Sequence, residues 1–338
     1  MENSLRILIS LLAPLLLGGC ETLAYYAQAI GGQVALMSSA RPVAELLGDP
    51  ATPPLLRDRL ALASSIRDYA VKELGLPDNA SYRSYADIGR PYAVWNVVAA
   101  PEFSLEPLQS CFPVAGCVTY RGFFAQADAE RHAAQLRGQG NDVYVYGVAA
   151  YSTLGRLDDP LLSTFIRYPH ADLARLLFHE LAHQVAYVKD DTTFNESFAV
   201  VVEREGLRRW LAATGRGAEQ REMLAAEERN QAFAGEIEQS RARLRVLYRQ
   251  RIAPEEMRER KRAELAALQA RLTGHPRFKD VTPNNAFLAS FATYTELVPT
   301  FEHLLLEEGG DLARFYARVR AYAASPPAER GPFSAAAK

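Results

Sequence analysis

The chain has 338 residues, 49% hydrophobic and 23% charged, with 38 Lys and Arg against 40 Asp and Glu. Such a composition is globular and can bury a substantial core, in one large domain or two. A net charge of −2 and a pI near 6.3 give no electrostatic case for nucleic acid and imply no strongly single-signed partner.

Leu5 to Leu17 is an apolar run behind Arg6 and the amino terminus, too short to span a bilayer comfortably. It ends in Leu17-Gly18-Gly19-Cys20, which resembles a lipobox cut before a lipid-modified cysteine. An ordinary signal peptide or an uncleaved anchor is the alternative, but small residues directly before Cys20 favour the lipoprotein reading. Residues 1–19 are therefore expected to be a signal peptide and Cys20 the lipidation site, with its acyl chains anchoring the protein stably. Glu21, rather than Asp, follows the cysteine, which points to an outer-membrane anchor facing the periplasm. No other stretch is apolar enough to cross a membrane.

Thr22 to Ala40 reads as a helix close to the anchor, weakened by Gly31 and Gly32. Pro53 to Leu74 is a stronger one, with Leu56, Leu60, Ala63, Ile66 and Ala70 at helical spacing. The pattern then turns strand-like in Tyr92 to Ala99, Gly116 to Tyr120 and Asp142 to Ala150, runs rich in Val and Tyr bounded by Gly, Pro and Asn. Ala125 to Arg137 is an amphipathic helix between the last two. Val145 to Ser152 is a candidate sheet edge for holding a substrate backbone by strand addition, and an interior strand fits equally. With Cys20 lipidated, Cys111 and Cys117 remain as a pair. The five residues between them include Pro113 and Gly116 and suit a small disulfide loop in an oxidising compartment. Free thiols or metal ligands are alternatives, though no histidine lies nearby.

After Pro169, Ala171 to Val188 runs without Gly or Pro as a helix, apolar over most of its circumference and so buried. It contains His179-Glu180-Leu181-Ala182-His183. Residues four apart share a helix face, so His179 and His183 can grip one metal ion. Glu180 stands beside them, where a general base for a metal-activated water belongs. The bland reading makes both histidines hydrogen-bonded core residues. A second helix starts near Thr193 and supplies the third ligand. Glu196 is favoured, although Thr193 and Glu196 also fit a capping box. Glu203, seven residues on, could take that place or could support a ligating histidine from behind. His132, His170, His275 and His303 lack ligand spacing and are read as surface or structural.

From Gly217 to Leu272 charged residues dominate, and thin apolar stripes run through Phe233, Ile237, Leu244 and Leu247, then Met257, Leu265, Leu268 and Leu272. A turn near Pro254 makes this a long helical hairpin, residues 214–274, projecting from the body. It is read either as a solvated insertion or as a lid or docking arm for a protein partner. Residues 275–324 return to the core, and Tyr294 lies on a buried helical surface there. The tail, 325–338, is read as disordered.

His179 to His183 with the downstream Asn195-Glu196 and Glu203-Arg204 resembles the gluzincin metallopeptidases, which include the zinc aminopeptidases. The step from His183 to Glu196 is 13 residues, shorter than in those enzymes. A wider resemblance, to bacterial lipoproteins described as predicted aminopeptidases, is carried by several runs. They are Cys111 to Cys117, Tyr120 to Phe123, Tyr151 to Gly155, Asp158 to Phe165, Arg167 to Pro169, Asp191 to Ala199, Pro283 to Ala286, and Tyr294.

These resemblances imply an α+β, predominantly helical fold: a zincin-like core with a small sheet, residues 20–213 and 275–324, and the hairpin inserted. They imply one zinc ion on His179, His183 and Glu196, with Asn195 and Glu203 supporting. Peptide bonds would be hydrolysed by a zinc-activated water with Glu180 as base, on aminopeptidase-type substrates. Tyr294 is the first choice to steady the oxyanion, Tyr120 and Tyr151 are rivals on the substrate side, and Arg121 is a candidate for a substrate carboxylate. The reading from another class is a non-catalytic envelope lipoprotein with structural zinc, whose hairpin binds a partner.

Overall fold

Alternating Val and Ala residues in a strand that is apolar on both faces require cover on both sides, and this sets the architecture. The structure is a computed structural model that describes residues 25–112, 116–275, 278–326 and 329. The expected signal peptide, Cys20 and nearly all of the tail lie outside the described residues. Among the described residues helices dominate, with three small sheets.

The first helix, α1 (residues 25–38), leads into β1 (Arg41–Pro42), α2 (Val43–Gly48) and α3 (Pro54–Lys72). Leu60, Ala63, Ile66 and Ala70 are fully buried along one stripe of α3, as their spacing requires. β1 pairs with β2 (Ser84–Ala86), and β2 pairs in parallel with β8 (Leu161–Leu162).

The main sheet has the order β6-β3-β7, from β3 (Val94–Pro101), β6 (Arg121–Phe123) and β7 (Asn141–Val148). Val97, Ala99, Val143 and Val145 face helix α4 (Gln126–Gly138) and its buried Ala129 and Ala133. Val98, Ala100, Tyr144 and Tyr146 face Ala286 of α9 (Asn285–Thr295). Among the described residues, β7 borders the sheet and pairs with β3 alone. Asn284 and Asn285 pin α9 there: Asn284 donates to the Val143 carbonyl at 3.0 Å, and the Asn285 N–H donates to Asp142 at 2.8 Å. A two-stranded hairpin, β4 (Ser110–Phe112) and β5 (Gly116–Val118), carries the disulfide between Cys111 and Cys117.

The largest core gathers α3 with α5 (His170–Ala182), α6 (Thr192–Ala213), α10 (Val298–Glu307) and α11 (Leu312–Ala324) around Phe178, Phe194, Phe198, Phe301 and Phe315. Helices α5 and α6 meet closely because α6 has Gly206 at the crossing. A methyl group there would stand 2.9 Å from the Phe178 ring and 2.8 Å from Leu74.

The charged segment forms two helices, α7 (Gly217–Tyr248) and α8 (Pro254–Leu272). The hairpin does not stand off from the body. Ile237, Leu244, Leu268 and Leu272 are fully buried in a second core with Phe287 and Leu288 of α9. Lys261, itself buried, pairs with Asp142 at 2.7 Å and donates to the Glu102 carbonyl at 2.8 Å. Arg258 adds a two-pronged pair with Glu102 at 2.7 and 3.0 Å. Burying Lys261 beside its counter-charge fixes the hairpin's position, because the lysine would be costly to bury alone.

Candidate metal centre

Helix α5 ends at Ala182, not Val188, and His183 caps it in helical conformation. The chain then tightens, with the N–H groups of Gln184 and Val185 donating three residues back. Asn195 explains the stop. Its amide accepts from the Val188 N–H at 2.7 Å and donates to the Val188 carbonyl at 2.8 Å, closing the loop between α5 and α6. Asp191 caps α6 by accepting from the Phe194 N–H at 3.0 Å. The capping box of Thr193 and Glu196 is therefore not formed, and the Glu196 carboxylate turns to α5.

There three donors converge. His179 Nε2 and His183 Nε2 are 3.2 Å apart, and Glu196 Oε2 lies 3.3 Å from the first and 3.7 Å from the second. These atoms all lie within 4.8 Å of one another, close enough to share a metal ion. On the far side of the His179 ring, Nδ1 is 2.8 Å from Glu203 Oε2. A carboxylate can only accept there, so Nδ1 carries a proton and Nε2 is the ring atom turned to the cluster. Asn195 touches the loop, not a histidine.

Burial opposes charge on His179, but its bonds to Glu196 and Glu203 outweigh this and hold its pKa well above the ordinary value. Burial pushes His183 down to about 4, so its imidazole is neutral, as a ligand must be. Burial would raise Glu196, yet the two histidines keep it below the usual range and ionised. Burial lifts the Glu180 carboxyl to about 7, with His179 opposing and Glu196, Asp159 and Glu203 adding to the rise.

His179, Glu180 and Glu203 line a cleft of about 880 Å³ together with Tyr144, Tyr146 and Tyr294 and with Glu227, Asn230 and Gln231 of α7. The hairpin is thus one wall of the cleft. Tyr120, Tyr146 and Tyr294 all sense the Glu196 charge. Burial pushes Tyr146 up to about 12 and the other two well above the ordinary range, so all three hydroxyls stay protonated. Tyr146 also accepts from Asn96 at 3.4 Å and bonds to Tyr294.

Two other residues named from the sequence stand farther off. Tyr151 is 39% exposed and packs against Phe124. Arg121 lies on the α4 face of the sheet, its guanidinium over the Tyr25 ring at 4.1 Å, and is not brought to the cluster. The remaining histidines are also elsewhere: His132 packs on Phe123, His170 meets Arg216, His275 meets Asn230 and His303 meets Glu307.

Sequence reasoning missed Tyr146, Glu227, and the buried pair Tyr82 and Asp159 behind Glu180. Tyr82 holds φ at +64°, an unusual conformation for a bulky residue, which periodicity cannot reveal.

A cleft lined by tyrosines and charged side chains thus lies beside a two-histidine, one-carboxylate cluster. The chain belongs to the family described as putative aminopeptidases. The family model matches residues 24–333, nearly the whole length. No curated protein and no solved structure matches the chain.

Proposed function

We propose that this aminopeptidase-family protein is zinc-dependent and gluzincin-like, hydrolysing peptide bonds with Glu180 as general base. The carrying observation is the convergence of His179, His183 and Glu196, with Glu203 bracing the His179 ring. Two imidazoles and a carboxylate are the donor set of a catalytic zinc with one position left open. The residues fit such an ion. The Nε2 of His179 faces another ring nitrogen at 3.2 Å and an ionised carboxylate at 3.3 Å, an arrangement in which a shared cation can take the place of the ring's second proton.

When bound, zinc makes a water acidic near neutral pH and polarises the scissile carbonyl. Glu180 takes the water's proton and returns it to the leaving amine. The Tyr294 hydroxyl, in the same cleft as His179 and Glu180 and kept protonated by burial, donates to the oxygen on which charge develops. A structural site would have no use for a buried carboxylate in Glu180's place.

The charges on the α7 wall support the aminopeptidase reading. Arg204 Nη1 is 3.0 Å from Glu302, while its Nε is 3.9 Å from Glu227. Arg204 is shared between the two carboxylates, with Arg175 also acting on Glu227, and we assign Glu227, the one without a close ion pair, to the substrate's free ammonium. Tethering through an acylated Cys20, with the body in the periplasm, completes the proposal.

The test compares free and N-acetylated peptides with wild-type protein and Glu180→Gln. The expected result is cleavage of the free-amine peptides only, with zinc retained and turnover about 10²–10⁴-fold lower in Glu180→Gln. Full turnover in that variant would remove Glu180 from the mechanism. Equal cleavage of acetylated peptides would make the protein an endopeptidase.

A further inference from the structure

Among the described residues, helix α1 is held on one face only. The Tyr25 ring stacks on Phe112 with centroids 5.4 Å apart, and Gln28 accepts from the Phe124 N–H at 3.1 Å. Gly32 lies so close to the Phe124 ring that a methyl group there would meet it at 2.2 Å, and Leu36 is buried. The opposite face presents Ala27, Ile30, Gly31, Val34, Ala35 and Ser38, all exposed and at helical spacing. Ile30 is 63% and Val34 60% exposed. No Asp, Glu, Lys or Arg occurs from Thr22 to Ala40. A helix face turned to water ordinarily carries charged side chains. This one has none over its whole length.

We propose that this face lies on a lipid bilayer, with Ile30 and Val34 entering the boundary between headgroups and acyl chains. The inference rests on Cys20 as the site of acylation. Tyr25 is five residues from Cys20. Even fully extended, that stretch reaches about 18 Å, so an anchored cysteine keeps the helix at the membrane surface. Two aliphatic side chains and two alanines form too small a patch for a stable protein interface, which needs about 800 Å² per partner. A tethered surface needs far less, because the anchor already supplies a high effective concentration. The lack of acidic side chains also spares the face repulsion from anionic headgroups.

The experiment places a nitroxide at Val34→Cys and, separately, at Val246→Cys, a valine of similar exposure (62%) on α7. Acylated protein is reconstituted in vesicles of phosphatidylethanolamine and phosphatidylglycerol, and the Cys20→Ser form is studied in solution. On vesicles the Val34 label should gain collisions with oxygen and lose contact with a water-soluble nickel chelate severalfold. The Val246 label should not change. A Val34 label on acylated protein that stays as open to the chelate as Val246 would overturn the membrane face while leaving the anchor standing. An unmodified Cys20, seen by mass spectrometry, would overturn the anchor and the proposal with it. Shielding of Val34 in the Cys20→Ser protein that grows with concentration would replace the bilayer by a second copy of the chain.

Discussion

Glu203 Oε2 lies 2.8 Å from His179 Nδ1, on the same helix that carries Glu196. One helix thus supplies both a ligand candidate and the carboxylate that orients another candidate. Glu203→Ala should leave the three donors in place but weaken zinc binding about 10–100-fold, the usual cost of losing such a partner. Glu196→Ala should weaken it further. Competition against a chromophoric chelator measures both, and the reverse order would exchange the two roles.

Tyr294→Phe should lower kcat by about 10²–10³-fold with KM little changed, as expected for a donor used only in the transition state. Tyr146→Phe should cost less, because Tyr146 works through its bond to Tyr294. Steady-state kinetics on one peptide decide this. A larger loss in the Tyr146 variant would make Tyr146 the donor.

Asp159 is 1% exposed, and burial raises its pKa above the unfolded value, against the bonds from Thr153 and Ser152. The folded state therefore holds this proton more tightly than the unfolded chain. Its stabilising contribution is fully present below the unfolded pKa of about 4 and is lost as pH rises through the folded value. Asp159→Asn keeps an oxygen for the Thr153 N–H, which now donates to Asp159 at 2.8 Å. The variant should melt higher than wild type at pH 7 and show no advantage near pH 3.5. A lower melting temperature at pH 7 would contradict this account of Asp159.

Gly206→Ala should destabilise the fold by about 1–3 kcal/mol, the range for overfilling a packed core. Its methyl group would press on Phe178, the residue before His179. Chemical denaturation reads the loss, and an unchanged midpoint would mean that α5 and α6 can part without cost.

The sequence made local chemistry legible. His179, Glu180 and His183 sit within two helical turns, so their spacing alone groups them, whereas Glu196, a short step beyond, had Glu203 and a capping role as competing readings. Helices α3, α4, α7 and α8 followed from their apolar stripes. What escaped depends on contacts between distant segments. Val185 and Val188 continue an apolar helical pattern, yet the clamp from Asn195 ends the helix earlier. The hairpin's stripes predicted two helices but not their resting place, which Lys261 and Asp142 decide across the fold. Tyr146 read only as a strand residue, because its value depends on α9 covering that face of the sheet. Strands β1, β2 and β8 are two or three residues long, too short for alternation to register.

The most direct test is anomalous scattering from crystals of the zinc-loaded protein at the zinc edge. The account predicts one peak per chain, bonded to His179 Nε2, His183 Nε2 and a Glu196 carboxylate oxygen. A peak held by other residues, or none between these three under saturating zinc, would contradict it.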